Sequence, residues 1–169
     1  MSPSLSLKAR AIALLAQREH SAVELRRKLM RIARAQALAL AQASTQDGTE
    51  EPISDPAAEV DALLIWLQAQ GYLDEARFVE SRVHVRAARH GNLRIEQELA
   101  QHGLALGAEQ KAALKDSEFQ RARLIWLRKF GSPGVDAAAR ARQMRFLAGR
   151  GFSSEVIRRL MRQGGQIDE

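Results

Sequence analysis

The sequence predicts an all-α protein made of tandem three-helix units, and three observations lead to that prediction. The tetrapeptide Leu-Ile-Trp-Leu occurs at Leu64–Leu67 and again at Leu124–Leu127, sixty residues later. Each copy is followed by a glycine, Gly71 or Gly131, and then by an Arg-rich helical stretch. Ala and Leu dominate, and no stretch alternates with period two for long enough to predict a strand. Self-similarity at a long fixed period is typical of stacked helical units, which form elongated arrays and usually hold a partner.

The first predicted unit, residues 1–43, is a basic pair of helices. Its helices cover Leu5–Gln17 and the stretch from Ser21 onward. The second helix carries one apolar stripe, and arginines repeat the same spacing on its opposite face. The stripe is Leu25, Leu29 and Ile32, and the arginines are Arg27, Arg31 and Arg34. Ser21 and Glu24 have the spacing of a capping box.

Residues 44–56 are predicted to form a flexible linker, because they are polar and acidic and contain Gly48, Pro52 and Pro56. Asp55 followed by Pro56 is the pattern of an N-cap and the first residue of the next helix. An acidic loop near basic helices is either a solvated connection or an internal mimic of DNA.

Two complete three-helix units follow, at residues 57–106 and 107–163, and residues 164–169 form a tail. The predicted helices are Ala57–Gln70, Asp74–Arg89 and Asn92–Gln101, then Ser117–Lys129, Val135–Gly149 and Ser153–Gln163. Asn92 and Ser153 are expected to cap the last helix of each unit. The junctions before these caps align with the N-terminal one as Arg18–Ser21, Arg89–Asn92 and Arg150–Ser153, each with Arg first.

Composition and motifs exclude several classes of protein. The chain has no cysteine, which excludes disulfides and thiolate metal sites and is compatible with a cytoplasmic location. The N-terminus lacks the pattern of a signal peptide, and apolar runs such as Ala62–Leu67 are too short to span a membrane. The four histidines lack metal-ligand spacing, and no phosphate-binding loop or nucleophile–base pattern is present. We therefore expect neither an enzyme nor a cofactor.

Charge is concentrated at the two ends. Residues 1–43 carry a net charge of +6, residues 44–61 carry −6, and residues 121–163 carry +9. A concentrated basic surface raises affinity for polyanions and speeds their encounter. A solvated helix face is the alternative for any single arginine, since Arg is a good helix former. For Trp66 and Trp126, a buried core position is the expectation, and base stacking is the alternative.

Four motifs lie in order along the chain. The first is Ala13–Ser21 followed by Glu24–Leu29, and the second is Gly71–Phe78. The third is Arg94–Leu99 with Gly103 and Leu104, and the last comprises Lys129–Gly131, Arg142–Ser153 and Val156–Leu160. In this order they resemble the motifs of the RecX family, the regulatory proteins of the RecA recombinase. The stretch from about Ala33 to Pro56 is longer than the corresponding connection common in the family.

The resemblance implies an elongated, curved array of three-helix units that binds the groove of the RecA–DNA filament. It also implies a monomeric regulator, most often negative, of ATP hydrolysis, strand exchange and the SOS co-protease activity. Non-specific binding to single- and double-stranded DNA is implied as well. The residues predicted to bind filament or DNA are Arg27, Arg31, Arg82, Arg86, Arg142, Arg145, Arg158 and Arg162. On the helix of Arg142 and Arg145, the expected inward stripe is Ala141, Met144 and Ala148. The alternative function is a stand-alone, non-specific nucleic-acid-binding protein.

Overall fold

The computed structural model describes residues 5–47 and 55–163, and these residues form an all-α fold without a strand. The all-α prediction is thus confirmed. Within these ranges there are eight helices: α1 (Leu7–Gln17), α2 (Ala22–Asp47), α3 (Pro56–Ala69), α4 (Glu75–Ala87), α5 (Asn92–Ala100), α6 (Ala108–Phe130), α7 (Ala137–Gly149) and α8 (Ser154–Gln163). None of the helices described here is both long enough and apolar enough to cross a membrane.

Predicted caps account for where several helices begin. The Ser21 hydroxyl accepts a hydrogen bond from the Glu24 N–H at 3.1 Å, as expected for the start of α2. Asp55 accepts one from the Ala57 N–H at 2.9 Å, and Pro56 opens α3. Asn92 differs from the prediction, because it is the first residue of α5 and Gly91 holds the cap position.

The chain divides into two compact units, Met1–Phe78 and Val79–Glu169. In the first, α2 packs on both α1 and α3. Its core contains Leu7 and Ala11 of α1, Leu25, Leu29, Met30 and Ala33 of α2, Val60, Leu64 and Leu67 of α3, and Leu73. The sequence analysis grouped the helix of residues 57–70 with the helices that follow it. The structure packs α3 on α2 instead, because α2 is 26 residues long and offers an apolar face to both neighbours.

Helix α2 also continues beyond the predicted start of the linker. Residues 44–47 are helical, and α2 ends at Asp47. The Ala- and Leu-rich stretch before them carries the helix forward, since these residues have high helix propensity. The remainder of the predicted linker up to residue 54, and the predicted tail, lie outside the described residues.

The second unit is organised around α6, a continuous helix of 23 residues. The sequence analysis placed its start at Ser117. It begins at Ala108 instead, where the Gly107 N–H donates to Gln110 Oε1 at 3.0 Å. Its C-terminal half packs with α7 and α8. The core there is Ala122, Ile125, Trp126, Leu147, Phe152, Ile157 and Leu160.

The two Leu-Ile-Trp-Leu copies end their helices alike but bury different faces. Gly71 and Gly131 both adopt a left-handed conformation, with φ of 72° and 73°. The first copy buries Leu64 and Leu67 and exposes Ile65 to 67%, whereas the second buries Ile125 and Trp126 and exposes Leu124 to 59%. Because a helix advances roughly 100° per residue, the two buried faces lie roughly half a turn apart.

The two tryptophans therefore have different environments. Trp126 is buried to 1% exposure, as predicted, but Trp66 is only half-buried. The Trp66 ring stacks on Tyr72 with centroids 5.8 Å apart, and Lys8 Nζ lies 3.5 Å from its centroid. The prediction that Trp66 is a core residue equivalent to Trp126 is wrong, because α3 turns its leucines to the core.

Candidate functional site

The first unit presents Arg27 and Arg31 at its surface, both exposed on α2. Neighbouring arginines are held by carboxylates: Arg26 donates to Asp61 at 2.7 Å, and Arg18 pairs with Glu24. Among the described residues, neither Arg27 nor Arg31 forms an ion pair. Their guanidinium groups are therefore exposed to solvent, and binding of filament or DNA by Arg27 and Arg31 stays a prediction.

The Arg18–Glu24 pair organises the first junction rather than a surface site. Glu24 is buried, and the hydrogen bond from Arg18 lowers its pKa from 4.5 to about 2. The buried His20 ring lies beside it, with Nδ1 2.9 Å from the Arg18 carbonyl and Nε2 2.9 Å from Lys28 Nζ. Burial lowers the pKa of His20, so that the ring is neutral and links the junction to α2.

Arg82 and Arg86 are placed differently from the other predicted residues. Both are half-buried on α4, and both pair with Glu98 of α5. Arg86 Nε lies 2.7 Å from Glu98 Oε2, and Arg82 Nη1 lies 3.4 Å from Oε1. The single carboxylate of Glu98 offsets one of their two positive charges, and these contacts hold α4 against α5.

Arg142 and Arg145 of α7 and Arg158 and Arg162 of α8 are all exposed. In the part of the chain that the structure describes, none of the four pairs with a carboxylate. They keep their hydrogen-bonding capacity for a partner, and guanidinium groups contact phosphates and carboxylates with two parallel hydrogen bonds.

The inward stripe of α7 is Gln143 and Leu147, not the predicted Ala141, Met144 and Ala148. Gln143 is buried, and its Oε1 accepts hydrogen bonds from Trp126 Nε1 at 3.1 Å and from the Gly134 N–H at 3.2 Å. Its Nε2 donates to the Ser132 carbonyl at 2.9 Å. A polar residue could occupy the core because its amide is satisfied by these bonds, which an apolar-periodicity argument does not detect. Arg142 and Arg145 are exposed even though the buried face of α7 differs from the predicted one.

Two of the aligned junctions pack against each other in the second unit. The Gly91 N–H donates to the Arg150 carbonyl at 2.9 Å, and the Leu93 N–H donates to the Gly151 carbonyl at 3.1 Å. A further hydrogen bond joins the same two junctions, because Arg150 Nη1 donates to the Arg89 carbonyl at 3.0 Å. The start of α5 and the turn between α7 and α8 thus form one hydrogen-bonded structure.

Glu118 of α6 stabilises both helix starts at this place. Its buried carboxylate accepts from the Asn92 N–H at 3.1 Å, from the Ser153 N–H at 3.2 Å and from the Ser153 hydroxyl at 3.0 Å. A negative charge at the N-termini of α5 and α8 is favourable because these ends carry partial positive charge. One carboxylate therefore fixes the orientation of α8, and with it Arg158 and Arg162.

Arg121 holds the other side of the same junction. Its guanidinium donates to the His90 carbonyl at 2.7 Å and to the Leu114 carbonyl at 3.0 Å, and it also contacts Asn92. Burial lowers the pKa of Arg121. The pKa of His90 is lowered as well, first by burial and then by the charges of Arg86, Arg150 and Arg94. Arg86, Arg94 and Arg150 thus lie near enough to His90 to disfavour its protonation, in addition to burial.

Arg89, Arg128, Lys129 and Arg150 were not among the predicted residues, yet they line a common cavity in this unit. A sequence signal existed for two of them, because Arg89 and Arg150 are the first residues of the aligned junctions. Among the described residues, no group of three His, Asp or Glu side chains is placed to hold a metal ion. Four of the residues that line this cavity are thus cationic.

Comparison with known proteins assigns this architecture to a described family of domains. Residues 74–106 match the model of the second three-helix domain of RecX, and residues 116–161 match that of the third. A regulatory protein RecX of Ralstonia pickettii is 43% identical over 168 residues, covering 98% of this chain and 92% of the relative. That of Herminiimonas arsenicoxydans is 46% identical over 160 residues, covering 94% and 92%. That of Chromobacterium violaceum is 33% identical over 163 residues, covering 96% and 93%.

Proposed function

The chain belongs to the RecX family, and we propose that it is a cytoplasmic negative regulator of the RecA recombinase. In this proposal the protein binds as a monomer along the groove of the RecA–DNA filament. It lowers RecA ATP hydrolysis, strand exchange and the SOS co-protease activity by occupying that groove. The chain contributes binding surfaces to this process and no chemistry of its own.

The observation that carries the proposal is a set of arginines on α7 and α8 that are exposed and that form no ion pair among the described residues. Arg142, Arg145, Arg158 and Arg162 leave their guanidinium groups free for an anionic partner, in a segment of net charge +9. A filament groove offers phosphates and acidic side chains, and arginine binds both with paired hydrogen bonds. Arg27 and Arg31 provide a second contact from the first unit. Arg82 and Arg86 contribute less, because both are half-buried and share the carboxylate of Glu98.

The rigid mounting of α8 supports the same proposal. Glu118 and the paired junctions fix the start of α8, so the backbone that carries its arginines is positioned before a partner binds. A preorganised surface loses less conformational entropy when it binds, which raises affinity.

The second candidate function is non-specific binding to single- and double-stranded DNA without a specific effect on RecA. The cationic cavity of Arg89, Arg128, Lys129 and Arg150 favours it, because cations that line a concavity suit a polyanion. The two functions differ in the amount of protein needed to inhibit RecA ATP hydrolysis: a filament regulator acts below the amount that coats the DNA, and a DNA-binding protein only at that amount.

A titration into pre-formed RecA–ssDNA filaments, with RecA ATP hydrolysis as the readout, tests the proposal. We expect ATP hydrolysis to fall at amounts of protein well below those that coat the DNA. Inhibition that appears only when the DNA is saturated would support the second function and contradict the first.

A further inference from the structure

An open groove of about 600 Å³ lies between α1 and α2 in the unit Met1–Phe78. Arg10 and Leu14 of α1 form one wall, and the other lining residues lie on one face of α2. That face extends from Lys28 to Ala39, a length of about 16 Å or three helical turns. Among the described residues, the lining of this groove contains no acid.

The lining residues form rows with the spacing of a helix-packing surface. Each row repeats every four residues along its helix. The two rows on α2 are Lys28, Ile32 and Gln36, and Arg31, Ala35 and Ala39. Arg10 and Leu14 repeat the same spacing on α1. Rows of side chains four residues apart are the ridges that interlock when helices pack, so the groove has a shape that accepts a further helix.

The floor of the groove is apolar. Leu14 and Ile32 are half-buried and pack against the core of the unit, whereas Ala35 and Ala39 are exposed. Because the side chain of alanine is a single methyl group, another helix can approach α2 closely at these two positions. The same floor disfavours a nucleic-acid backbone, since phosphates pressed against alkyl groups lose hydration without gaining hydrogen bonds.

The rim of the groove is cationic. Among the described residues, neither Arg10 nor Arg31 forms an ion pair. Arg10 Nε donates to a neutral acceptor, the Leu5 carbonyl, at 3.1 Å. Lys28 Nζ lies 3.6 Å from Glu24 Oε1. Charge complementarity therefore favours an occupant that carries acids beside an apolar face.

A small molecule fits this groove less well than a helix does. Pockets for small molecules usually enclose about 70–90% of the surface of the ligand. This groove has walls from two helices only and is open above them. An elongated occupant that lies along α2 uses its length, and it keeps its own polar face in solvent.

We infer that this groove binds an acidic amphipathic helix of a partner protein. About three turns of that helix lie along α2, with apolar side chains on the floor and carboxylates towards Arg10 and Arg31. The inference goes beyond the proposed function, because the site recognises a protein helix and requires neither DNA nor RecA. Ala35 and Ala39, on which its test depends, have no part in the arginine contacts proposed above.

The test measures binding of the full chain to a fluorescent designed peptide of about 16 residues, or four to five helical turns. Its leucines form one stripe, and glutamates flank that stripe on both sides. A second peptide has the same composition in an order that abolishes the stripe. We expect the amphipathic peptide to bind at least about 10-fold more tightly, because only its leucines can be buried together on the floor.

A variant of the floor localises the binding. The groove variant carries Ala35→Glu and Ala39→Glu, both at exposed positions. The control variant carries Ala13→Glu and Ala16→Glu, which are exposed on α1 outside the groove and add the same charge. We expect the groove variant to bind the amphipathic peptide at least about 10-fold more weakly, because like charges then face each other, and the control to change affinity by about 2-fold or less.

A variant of the rim tests the charge complementarity. Arg31 and Arg34 are both exposed on α2, but only Arg31 lines the groove. Arg31→Gln should weaken binding of the amphipathic peptide by about 5-fold, as expected for the loss of an exposed ion pair, and Arg34→Gln by about 2-fold or less. Equal effects of the two substitutions would show that general positive charge, and not the groove, attracts the peptide.

Several other outcomes would overturn the inference. Equal affinity of the wild-type chain for the two peptides would do so, as would equal affinities of the groove and control variants. A wild-type dimer in sedimentation equilibrium that the groove variant lacks would assign the groove to a second copy. Binding to phosphatidylglycerol vesicles that is lost only in the groove variant would assign it to a lipid surface.

Two further measurements keep the result unambiguous. If the groove variant loses its helical circular dichroism, Ala35→Gln with Ala39→Gln replaces it, and this uncharged filling of the groove should weaken binding by about 5-fold. Inhibition of RecA ATP hydrolysis by a wild-type chain that does not bind the amphipathic peptide would reject the groove and leave the regulatory function standing. Binding of the peptide without inhibition would do the reverse.

Discussion

Gly91 packs against the backbone of Gly151, and neither position has room for a side chain. A Cβ on Gly91 would lie 2.3 Å from the Gly151 carbonyl oxygen, and a Cβ on Gly151 would lie 2.5 Å from Cβ of Arg94. The backbone hydrogen bonds from Gly91 to Arg150 and from Leu93 to Gly151 require this approach. The contact joins two junctions that align in the sequence, and it brings Arg89 and Arg150 to the same cavity.

The Gly91→Ala variant is expected to be strongly destabilised. The atoms that would meet the new methyl group belong to the backbone, which cannot move aside as a flexible side chain would. We expect the free energy of unfolding, measured by urea denaturation, to fall by about 3 kcal/mol. Gly149→Ala is the control, because a Cβ there meets nothing within 4 Å. Its stability should be unchanged or higher by up to about 1 kcal/mol. Similar stabilities for the two variants would contradict this account.

The Glu118→Gln variant tests the shared capping of α5 and α8. The amide keeps one acceptor oxygen but loses the charge, and its NH₂ group would face the donors of Asn92 or Ser153. We expect a loss of about 2–3 kcal/mol in the free energy of unfolding. The exposed Glu109, in the first turn of α6, is the matched control, and Glu109→Gln should cost less than about 1 kcal/mol. Equal losses would show that Glu118 has no special role.

The two tryptophans should respond differently to truncation. Trp126→Ala removes a fully buried ring that donates to Gln143, and should lower the free energy of unfolding by about 3–5 kcal/mol. Trp66→Ala removes a half-buried ring and should cost about 1–2 kcal/mol. Thermal denaturation of both variants checks this. If Trp126→Ala kept its stability and abolished DNA binding, Trp126 would stack on a base instead.

Stability should depend on pH through Glu24. Its pKa is lowered in the folded chain to about 2, so its contribution is fully present above pH 4.5 and is lost as the pH falls towards 2. The shift corresponds to about 3 kcal/mol at most, and screening around the half-exposed Arg18 reduces this to about 1–2 kcal/mol. Urea denaturation between pH 5 and about pH 2.5 should show a flatter profile for Glu24→Gln than for the wild type. The exposed Glu59 serves as the control: Glu59→Gln should follow the wild-type profile.

The reversal of Arg142, Arg145, Arg158 and Arg162 to Glu should abolish inhibition of RecA ATP hydrolysis and weaken DNA binding. The four side chains are exposed, so circular dichroism should show an unchanged helical content. A matched comparison is possible on a smaller scale. Two double variants change exposed residues that lie four positions apart on one helix. They are Arg158→Glu with Arg162→Glu on α8, and Lys111→Glu with Lys115→Glu on α6. Inhibition should fall in the first pair and not in the second. Full inhibition by the folded quadruple variant would make this basic face a solvated helix surface.

Much of the architecture could be predicted from the sequence because it depends on local chemistry. Helix starts are marked by Asp55 before Pro56, by Ser21 with Glu24, and by Ser153. In each case the side chain of Asp55, Ser21 or Ser153 accepts a hydrogen bond from a backbone N–H in the first turn of its helix. Gly71 and Gly131 mark helix ends, because a left-handed conformation favours glycine. The exposed arginines of α7 and α8 could be predicted from charge and spacing.

The sequence by itself therefore determined that this chain is a series of helices with basic ends and a family-specific order of motifs. The tertiary structure alone decided which face of α3, α6 and α7 is buried. Identical Leu-Ile-Trp-Leu segments bury opposite faces because their neighbours differ, and Gln143 enters the core because partners from Trp126, Ser132 and Gly134 satisfy its amide. Three other features join residues that are far apart in the chain. They are the contact of Gly91 with Gly151, the capping of both α5 and α8 by Glu118, and the cavity lined by Arg89 and Arg150. Such long-range contacts leave no periodic signal, because they depend on how helices pack and not on the propensity of any one segment.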